Sequence, residues 1–386
     1  MFKFDFDLQD DLDDTGAFNS SEDRLGEKEK TGTKGPSAPE AAFAEVPLEQ
    51  LLGSLPPLVS YSLLNIPVSS GQGLDLPRRD LFDARFQLLS RSQLDEPETG
   101  DEAGTDKESS TALQFLDAPS DLVPGVYEGG LKTWECSLDL AVYMDEQRIS
   151  YRGKCILELG CGTAVPSLYI LSKLFSEQSE DPAPETQIHL QDYNRSVLEL
   201  ITLPNVLLTW YLSPAALSYR EKLSEDDAPR PNELPVTPEL TAAFLASLAS
   251  LNITLRFFSG SWESFDLSST GGKYNIVLTS ETIYRTDSLG SLIQLLSDTQ
   301  GHCDLETLTE AKLSLSASQN QDTALCLIAA KVLYFGVGGG VSEFTRAVED
   351  PTAYAYEGRR RRKGKVRTVW EKTGGVGRKV LQVEWE

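Results

Sequence analysis

Histidine is almost missing from this sequence: His189 and His302 are the only two in 386 residues. A Ser-His-Asp hydrolase would have to use one of them, and no Gly-x-Ser-x-Gly elbow accompanies either. The same scarcity argues against a histidine-ligated metal centre, and no metal is expected. Cysteine is also little used. The five, at positions 136, 155, 161, 303 and 326, form no Cys-x-x-Cys pair, so neither a disulfide framework nor a zinc site is expected. Cys155 and Cys326 lie in apolar runs and read as small buried hydrophobes, and a reducing compartment follows. No apolar run approaches a membrane span. The opening residues, MFKFDFDLQDD, are acidic and carry no apolar leader core, so no signal peptide and no membrane partner are expected. Positive charge is the last shortage: 35 Lys and Arg against 59 Asp and Glu leave a net charge of −24. That opposes sequence-blind binding to nucleic-acid phosphates and leaves room for a basic protein partner.

What is present divides near residue 120. Residues 1–120 read as a mostly disordered acidic arm. A Ser/Gly/Lys/Glu/Pro tract at 19–41 cannot bury enough apolar surface to offset its ordering entropy. Two stretches, 47–66 and 76–92, are apolar enough to dock on the remainder. From 121 to 386, strand and helix signals alternate, which predicts an α/β domain with a parallel sheet covered on both faces. Strands are expected at Cys155–Leu159, Gln187–Gln191, Ile253–Phe258, Tyr274–Thr279 and Ala324–Val332, with helices at Val165–Phe175, Arg195–Leu200 and Leu289–Thr299. Arg367–Lys372 and Lys379–Glu386 flank Thr373-Gly374-Gly375, a hairpin signal. Five parallel strands closed by an antiparallel hairpin describe the Rossmann-like, seven-stranded class I methyltransferase fold rather than the six-stranded dinucleotide fold. Residues 213–250 break the rhythm as an insert without an assigned role.

The strongest local signal is Ile156-Leu-Glu-Leu-Gly-Cys-Gly-Thr163. An apolar strand ends in an acid and delivers Gly-x-Gly to a helix N-terminus, where the backbone turns tightly and approaches a ligand closely. A dinucleotide site would want Gly or Ala at the sixth position, which is Val165 here. Glu158 discriminates further, since a carboxylate before the turn suits a cationic aminoacyl sulfonium and repels a pyrophosphate. A plain strand-to-helix turn is the bland alternative. Asp192 ends the second strand, where an acid can accept from both hydroxyls of a ribose or simply cap a helix; His189 in that strand reads as packing.

In order along the chain come Asp121-Leu-Val-Pro-Gly-Val-Tyr-Glu-Gly-Gly-Leu-Lys-Thr-Trp-Glu-Cys-Ser, the Glu-Leu-Gly-Cys-Gly turn, Gln191-Asp-Tyr-Asn, Leu203-Pro-Asn-Val, Gly260-Ser-Trp, Thr279-Ser-Glu-Thr-Ile-Tyr and Tyr334-Phe-Gly-Val-Gly-Gly-Gly. Together they strongly resemble the histidine protein methyltransferase family, eukaryotic enzymes acting on the third large-subunit ribosomal protein. The resemblance covers about residues 121–386. It implies S-adenosylmethionine as cofactor and a basic large-subunit ribosomal protein as partner, for a monomer found in cytoplasm and nucleus. It further implies that Thr133, Trp134, Glu135, Cys136 and Ser137 border the cofactor and that Gly160 and Gly162 receive its amino-acid moiety. Gln191, Asp192 and Tyr193 would take the ribose and adenine edge, Gly260, Ser261 and Trp262 would close over the adenine, and Ser280 would lie beside the methyl.

Glu281 and Tyr284 fall where related lysine methyltransferases carry Asp-x-x-Tyr, and Glu281 is the candidate to bind the imidazole N–H opposite the attacking nitrogen, with Tyr284 positioning. The Gly336-Val-Gly-Gly-Gly340 segment would admit a substrate loop. Arg359-Arg-Arg-Arg-Lys-Gly-Lys365, the one basic cluster, is either a solvated loop or a contact for ribosomal RNA or nuclear import. A lysine methyltransferase of the same fold and a non-catalytic ribosome-assembly factor remain as rival readings.

Overall fold

The expected strands form, displaced by a few residues at their ends, and they are joined by others. In chain order they are β1 (Ala44–Val46), β2 (Leu58–Ile66), β3 (Leu74–Arg79), β4 (Leu122–Val123), β5 (Tyr127–Glu128), β6 (Cys155–Leu159), β7 (Thr186–Asp192), β8 (Glu233–Pro235), β9 (Ile253–Ser259), β10 (Ile276–Ser280), β11 (Leu325–Lys331), β12 (Gly364–Lys372) and β13 (Arg378–Trp385). The main helices are α1 (Leu48–Gly53), α2 (Leu81–Leu94), α3 (Glu135–Gln147), α4 (Val165–Leu174), α5 (Leu203–Leu212), α6 (Pro238–Ser250), α7 (Leu289–Thr299) and α8 (Val341–Glu349). The computed structural model describes residues 41–68, 73–94, 122–123, 127–128, 130–177, 184–224, 229–300, 324–334, 338–353 and 361–386. The disorder expected of 1–40 and 95–120, and His302, lie outside the described residues.

The main sheet runs β1-β9-β7-β6-β10-β11-β13-β12. β9, β7, β6, β10 and β11 are parallel neighbours; β13 is antiparallel to β11, and β12 to β13. Counted from β6, the order is 3-2-1-4-5-7-6, the class I methyltransferase sheet that the alternating pattern predicts. β6 is apolar on both faces because both are covered: Ile156 joins the core beneath α3 and α4, whereas Leu157 and Leu159 join the core beneath α7 and α8. Chain order reverses between β6 and β10. Loops leaving the carboxyl ends of these strands diverge there, which is where open α/β sheets bind ligands.

The sheet has an eighth strand. β1, assigned by the sequence to the arm, pairs antiparallel with β9, Val46 opposite Phe257. Arg256 grips Glu45 through two hydrogen bonds of 2.8 and 2.7 Å. β2 pairs with β3 on one side and β8 on the other. Since β8 belongs to the 213–250 insert, the insert and two stretches of the arm complete one small sheet. Val46, Leu51, Val59, Tyr61, Ile66 and Leu76 are buried in the core shared with α3 and α4. The described residues on both sides of position 120 belong to one compact unit, Pro39–Glu386.

The helix expected over 195–200 continues to Leu212 through a π turn, Leu198–Thr202. Pro204 has no N–H for the Leu200 carbonyl. Arg79, 1% exposed, supplies the donor, its Nη1 lying 2.6 Å from Leu200 O. A buried carbonyl left bare costs about 1–3 kcal/mol, so this distant arginine is part of what lets the proline stand there. Among the described residues no single helix is long and apolar enough to cross a membrane.

Candidate active site

β6 enters α4 through left-handed residues, Gly160 (φ 61°), Gly162 (φ 52°) and Ala164 (φ 59°). Glycine adopts that conformation freely, and the space demands it as well. A Cβ on Gly160 would lie 2.7 Å from Thr282 Cγ2, and one on Gly162 would lie 3.2 Å from Gly130 Cα. The turn is fastened to the end of β7. Gly160 N–H donates to Gln191 Oε1 (3.1 Å), Cys161 N–H to Gln191 O (2.8 Å) and Gly162 N–H to Asp192 Oδ2 (3.0 Å). A pyrophosphate would need such amides for its own oxygens; here side-chain and backbone oxygens occupy them. Gln191, fully buried, also donates to Gly260 O (2.8 Å) and accepts from Trp262 Nε1 (2.9 Å). The turns after β6 and β9 therefore share one bonded net through the end of β7. Asp192 is oriented further by Asn194 N–H (3.0 Å).

The far side of the turn is held by α5 and the residue before it. Thr202 Oγ1 donates to Gly162 O (2.7 Å) and Asn205 Nδ2 to Thr163 O (3.1 Å), while Asn205 Oδ1 accepts Arg79 N–H (2.8 Å). Glu158 faces inward: its Oε2 accepts from both Ser167 N–H (3.0 Å) and Ser167 Oγ at the start of α4. Burial pushes its pKa up to about 8, against the hydrogen bonds from Ser167 and with the help of nearby Asp192. Near neutral pH it is mostly protonated and works as a buried clasp for α4, a different task from the anionic one its position suggests. His189 is likewise a packing residue, its Nδ1 2.8 Å from Tyr274 Oη.

A second set of groups gathers at the end of β10. Thr279 Oγ1 donates to Leu159 O (2.8 Å) and lies 2.7 Å from Thr282 Oγ1, which ties this loop to the glycine turn. Glu281 has φ 57°, unusual for a residue with a side chain, and its N–H donates to Ala329 O (2.9 Å). Its Oε2 accepts Tyr334 Oη–H at 2.6 Å, and its Oε1 is buried without a hydrogen-bond donor among the described residues. Lys331 Nζ is 3.8 Å from that oxygen, 3.3 Å from Glu135 Oε2 and 4.9 Å from the centre of the Trp134 ring. Tyr284, also buried, meets Tyr334 edge to face at 6.3 Å. Gly339 packs on the same loop: its N–H donates to Tyr284 O (3.0 Å), and a Cβ there would fall 2.3 Å from Tyr284 C.

No protein-family model matches the chain. Histidine protein methyltransferase 1 of Schizosaccharomyces pombe is 33% identical over 360 residues, covering 91% of this chain and 87% of the relative. The chain belongs to the histidine protein methyltransferase family. The Saccharomyces cerevisiae member is 33% identical over 288 residues, 71% of this chain and 69% of that one. The Bos taurus homologue is 35% identical over 61% of this chain, which spans only 52% of that longer protein. Among solved structures, magnesium protoporphyrin IX methyltransferase from Synechocystis, with bound SAH, aligns over 76% of this chain and 93% of that one at 8% identity and a TM-score of 0.29, a likeness too distant to add to the topology.

For a histidine protein methyltransferase, the residues expected at the site fall into three groups. Gly160, Gly162, Gln191, Asp192, Gly260 and Trp262 come together around the turn after β6. Tyr193 and Ser261 meet the incoming N-terminal segment, Tyr193 Oη accepting Ala41 N–H (3.4 Å) and Ser261 N–H donating to Ala41 O (2.9 Å). Gly260 is glycine partly for that reason, since a Cβ would lie 2.3 Å from Ala42 O. Trp134, Glu135 and Glu281 surround Lys331, and half-buried Ser280 ends β10 beside them. Thr133 Oγ1 is buried without a partner among the described residues.

Two expected cofactor neighbours have partners within the chain. Cys136 is 0% exposed and packs in the core, where burial and the adjoining Glu281 push its thiol pKa up. Ser137 donates its hydroxyl to Trp134 O (2.7 Å), closing the first turn of its own helix. The glycine segment's close approach is to Tyr284 of its own chain rather than to an incoming loop; Gly336 and Val337 lie outside the described residues. Arg361 is no surface cation either, since it is 6% exposed and donates to the carbonyls of Ala347, Asp350 and Ala353 at the end of α8. Arg362 bonds Gln300 O (3.2 Å) and Glu386 O (3.1 Å). The sequence reading missed Arg79, Thr202 and Lys331. Asn205 and Tyr334 stood within recognised segments, but nothing local marks an asparagine or a tyrosine as the one that holds a loop.

Proposed function

We propose that this chain transfers the methyl group of S-adenosylmethionine to a ring nitrogen of a histidine in a basic large-subunit ribosomal protein. Protein-histidine methylation follows from the family; the cofactor's seat, the site residues and the ribosomal substrate are our reading. Two observations support the cofactor. The amides of the glycine turn are held by Gln191 and Asp192, which leaves none for a pyrophosphate, and the Glu281 carboxyl keeps one oxygen, Oε1, buried without a hydrogen-bond donor among the described residues. A carboxylate oxygen in need of a partner suits a cationic ligand and repels a pyrophosphate. Gly160 and Gly162 would take the aminoacyl end, Asp192 the ribose diol, Tyr193, Ser261 and Trp262 the adenine, with Thr133, Trp134 and Ser280 toward the methyl. When bound, the cofactor supplies an electrophilic methyl on a positively charged sulfur.

The single observation that carries histidine as acceptor is Glu281, a carboxylate bonded on one oxygen and, on the other, buried without a hydrogen-bond donor among the described residues. A neutral imidazole needs no deprotonation before attack, because one ring nitrogen already offers an sp² lone pair. It needs its other nitrogen's proton held, so that the attacking atom is fixed on the line of transfer and the new positive charge is matched. Glu281 Oε1 accepts that N–H, and Tyr284 borders the ring. With the cofactor bound, the nitrogen would take the methyl as the S–CH₃ pair returned to sulfur, and the N–H proton would leave by way of the Glu281 carboxylate. A ribosomal RNA contact would rest on Arg359, Arg360, Lys363 and Lys365, and activity in cytoplasm and nucleus would follow from where ribosomal proteins are made and assembled.

The test is transfer of labelled methyl from S-adenosylmethionine to ribosomal proteins from cells lacking this enzyme, followed by hydrolysis and amino-acid analysis. Methylhistidine in one large-subunit protein, lost with Gly160→Arg, is the expected result. Methyllysine would give the chain to the lysine-modifying relatives, and cofactor binding without any label would make it an assembly factor.

A further inference from the structure

We infer that Lys331 and Tyr334 are positioning residues that present a single oxygen of Glu281 to the substrate and make the site selective for histidine over lysine. The inference rests on the role proposed for Glu281. Both residues come from the end of β11, on the far side of the site from the glycine turn.

Tyr334 fixes one half of the carboxylate. Its hydroxyl accepts the Lys331 backbone N–H (3.2 Å) and donates to Glu281 Oε2 (2.6 Å), so the direction of its proton is set. Burial, and then the neighbouring carboxylate, push the phenol's pKa well above its ordinary value, so it remains a donor. With Oε2 occupied, the side chain of Glu281 cannot turn end for end without breaking a charge-assisted bond. This matters because the backbone of Glu281 is already in the left-handed region, which costs on the order of 1 kcal/mol and persists only where surroundings enforce it.

Lys331 manages the other half. At 3.8 Å from Oε1, its ammonium is near enough to balance the carboxylate's charge and too far to occupy the oxygen with a hydrogen bond. It is kept there by Glu135 Oε2 at 3.3 Å and by the face of Trp134 at 4.9 Å. One buried acceptor atom remains without a hydrogen-bond donor among the described residues, and an imidazole with one N–H would satisfy it. A lysine substrate meets the opposite conditions. Its ammonium would be repelled by Lys331, and any that reached Glu281 would be held in its protonated form, without a lone pair to attack.

The full-length chain is compared with Tyr334→Phe, Lys331→Met, Glu281→Gln and the two doubles that include Glu281→Gln. Saturating S-adenosylmethionine and varied protein substrate give kcat and KM, calorimetry with S-adenosylhomocysteine gives cofactor-site affinity, and thermal unfolding checks the fold. Each of the first two single changes is expected to lower kcat about 10- to 100-fold, the range for groups that orient a functional ligand, with affinity for S-adenosylhomocysteine unchanged. Neither should lower it further once Glu281 is Gln, because both act through that carboxylate. If Tyr334→Phe fails to fold, the Lys331→Met and Glu281→Gln pair decides by the same criterion. Normal turnover by Glu281→Gln would overturn the role of Glu281 itself. Loss in Glu281→Gln with normal turnover in Tyr334→Phe and Lys331→Met, or losses that multiply in the doubles, would overturn this inference alone.

Discussion

Single side chains in this molecule take their roles from what surrounds them, and Glu158 is the plainest case. Its carboxyl sits before the glycine turn, yet the strand turns it toward α4, where it is 1% exposed. Its pKa in the folded chain is about 8 against an ordinary 4.5. The folded state therefore keeps a proton that the unfolded chain releases, and stability must fall as pH rises through that interval. The contribution is full below about 4.5 and gone above about 8, a swing on the order of 5 kcal/mol. Glu158→Gln keeps an oxygen for Ser167 and removes the titration. Urea midpoints at pH 5 and pH 8 should therefore diverge less in the variant than in the parent, and equal slopes would refute the assignment. His189 acts in the reverse sense: burial lowers its pKa to about 4, so its contribution is lost as pH falls below its ordinary 6.5.

At the scale of elements, the loop after β10 is held between two others. Thr282 touches the glycine turn after β6, and Gly339, ahead of α8, lies against the backbone of Ile283 and Tyr284 with no room for a methyl. Gly339 has ordinary backbone angles, so its need for glycine is steric rather than conformational. Gly339→Ala should displace the 281–284 loop, costing about 1–3 kcal/mol and lowering methyl transfer by at least about tenfold, as a misplacement of catalytic groups does. Gly338→Ala is no neutral control, because Gly338 has φ 80°. Gly374→Ala, in open space at the β12–β13 hairpin, serves instead. Steady-state rates and unfolding curves of both variants check this, and equal activity in Gly339→Ala and Gly374→Ala would contradict it.

At the scale of the molecule, the described residues before 121 are structural. β1 extends the main sheet, β2 and β3 join β8, and Arg79 serves a carbonyl in the helix leading to α5. Burying each of Val46, Leu51, Val59, Tyr61, Ile66 and Leu76 is worth about 1.5–3 kcal/mol, a sum comparable with the 5–15 kcal/mol of net stability typical of a whole domain. A chain starting at residue 121 is therefore expected not to fold, although it carries every recognised motif. Circular dichroism and urea titration of that fragment beside the full chain test this; a cooperative transition at an unchanged midpoint would show the expectation wrong.

The sequence by itself determined the parallel sheet, its closing hairpin and the glycine turn. Each is written in residues close along the chain: the apolar run of β6, the Thr-Gly-Gly signal before β13, the left-handed glycines after Leu159. The motif order was enough to mark the family. Tertiary structure alone decided that β1 joins β9 across 200 residues of chain and that Arg79 answers Pro204. It also turned Glu158 inward, took Arg361 from the surface, and set Lys331 and Tyr334 about Glu281. The physical reason is common to them all. A strand edge, a bared carbonyl or a carboxylate states what it needs locally, but its partner is chosen by which distant surface the folded chain brings within 3 or 4 Å, and no local pattern encodes that choice.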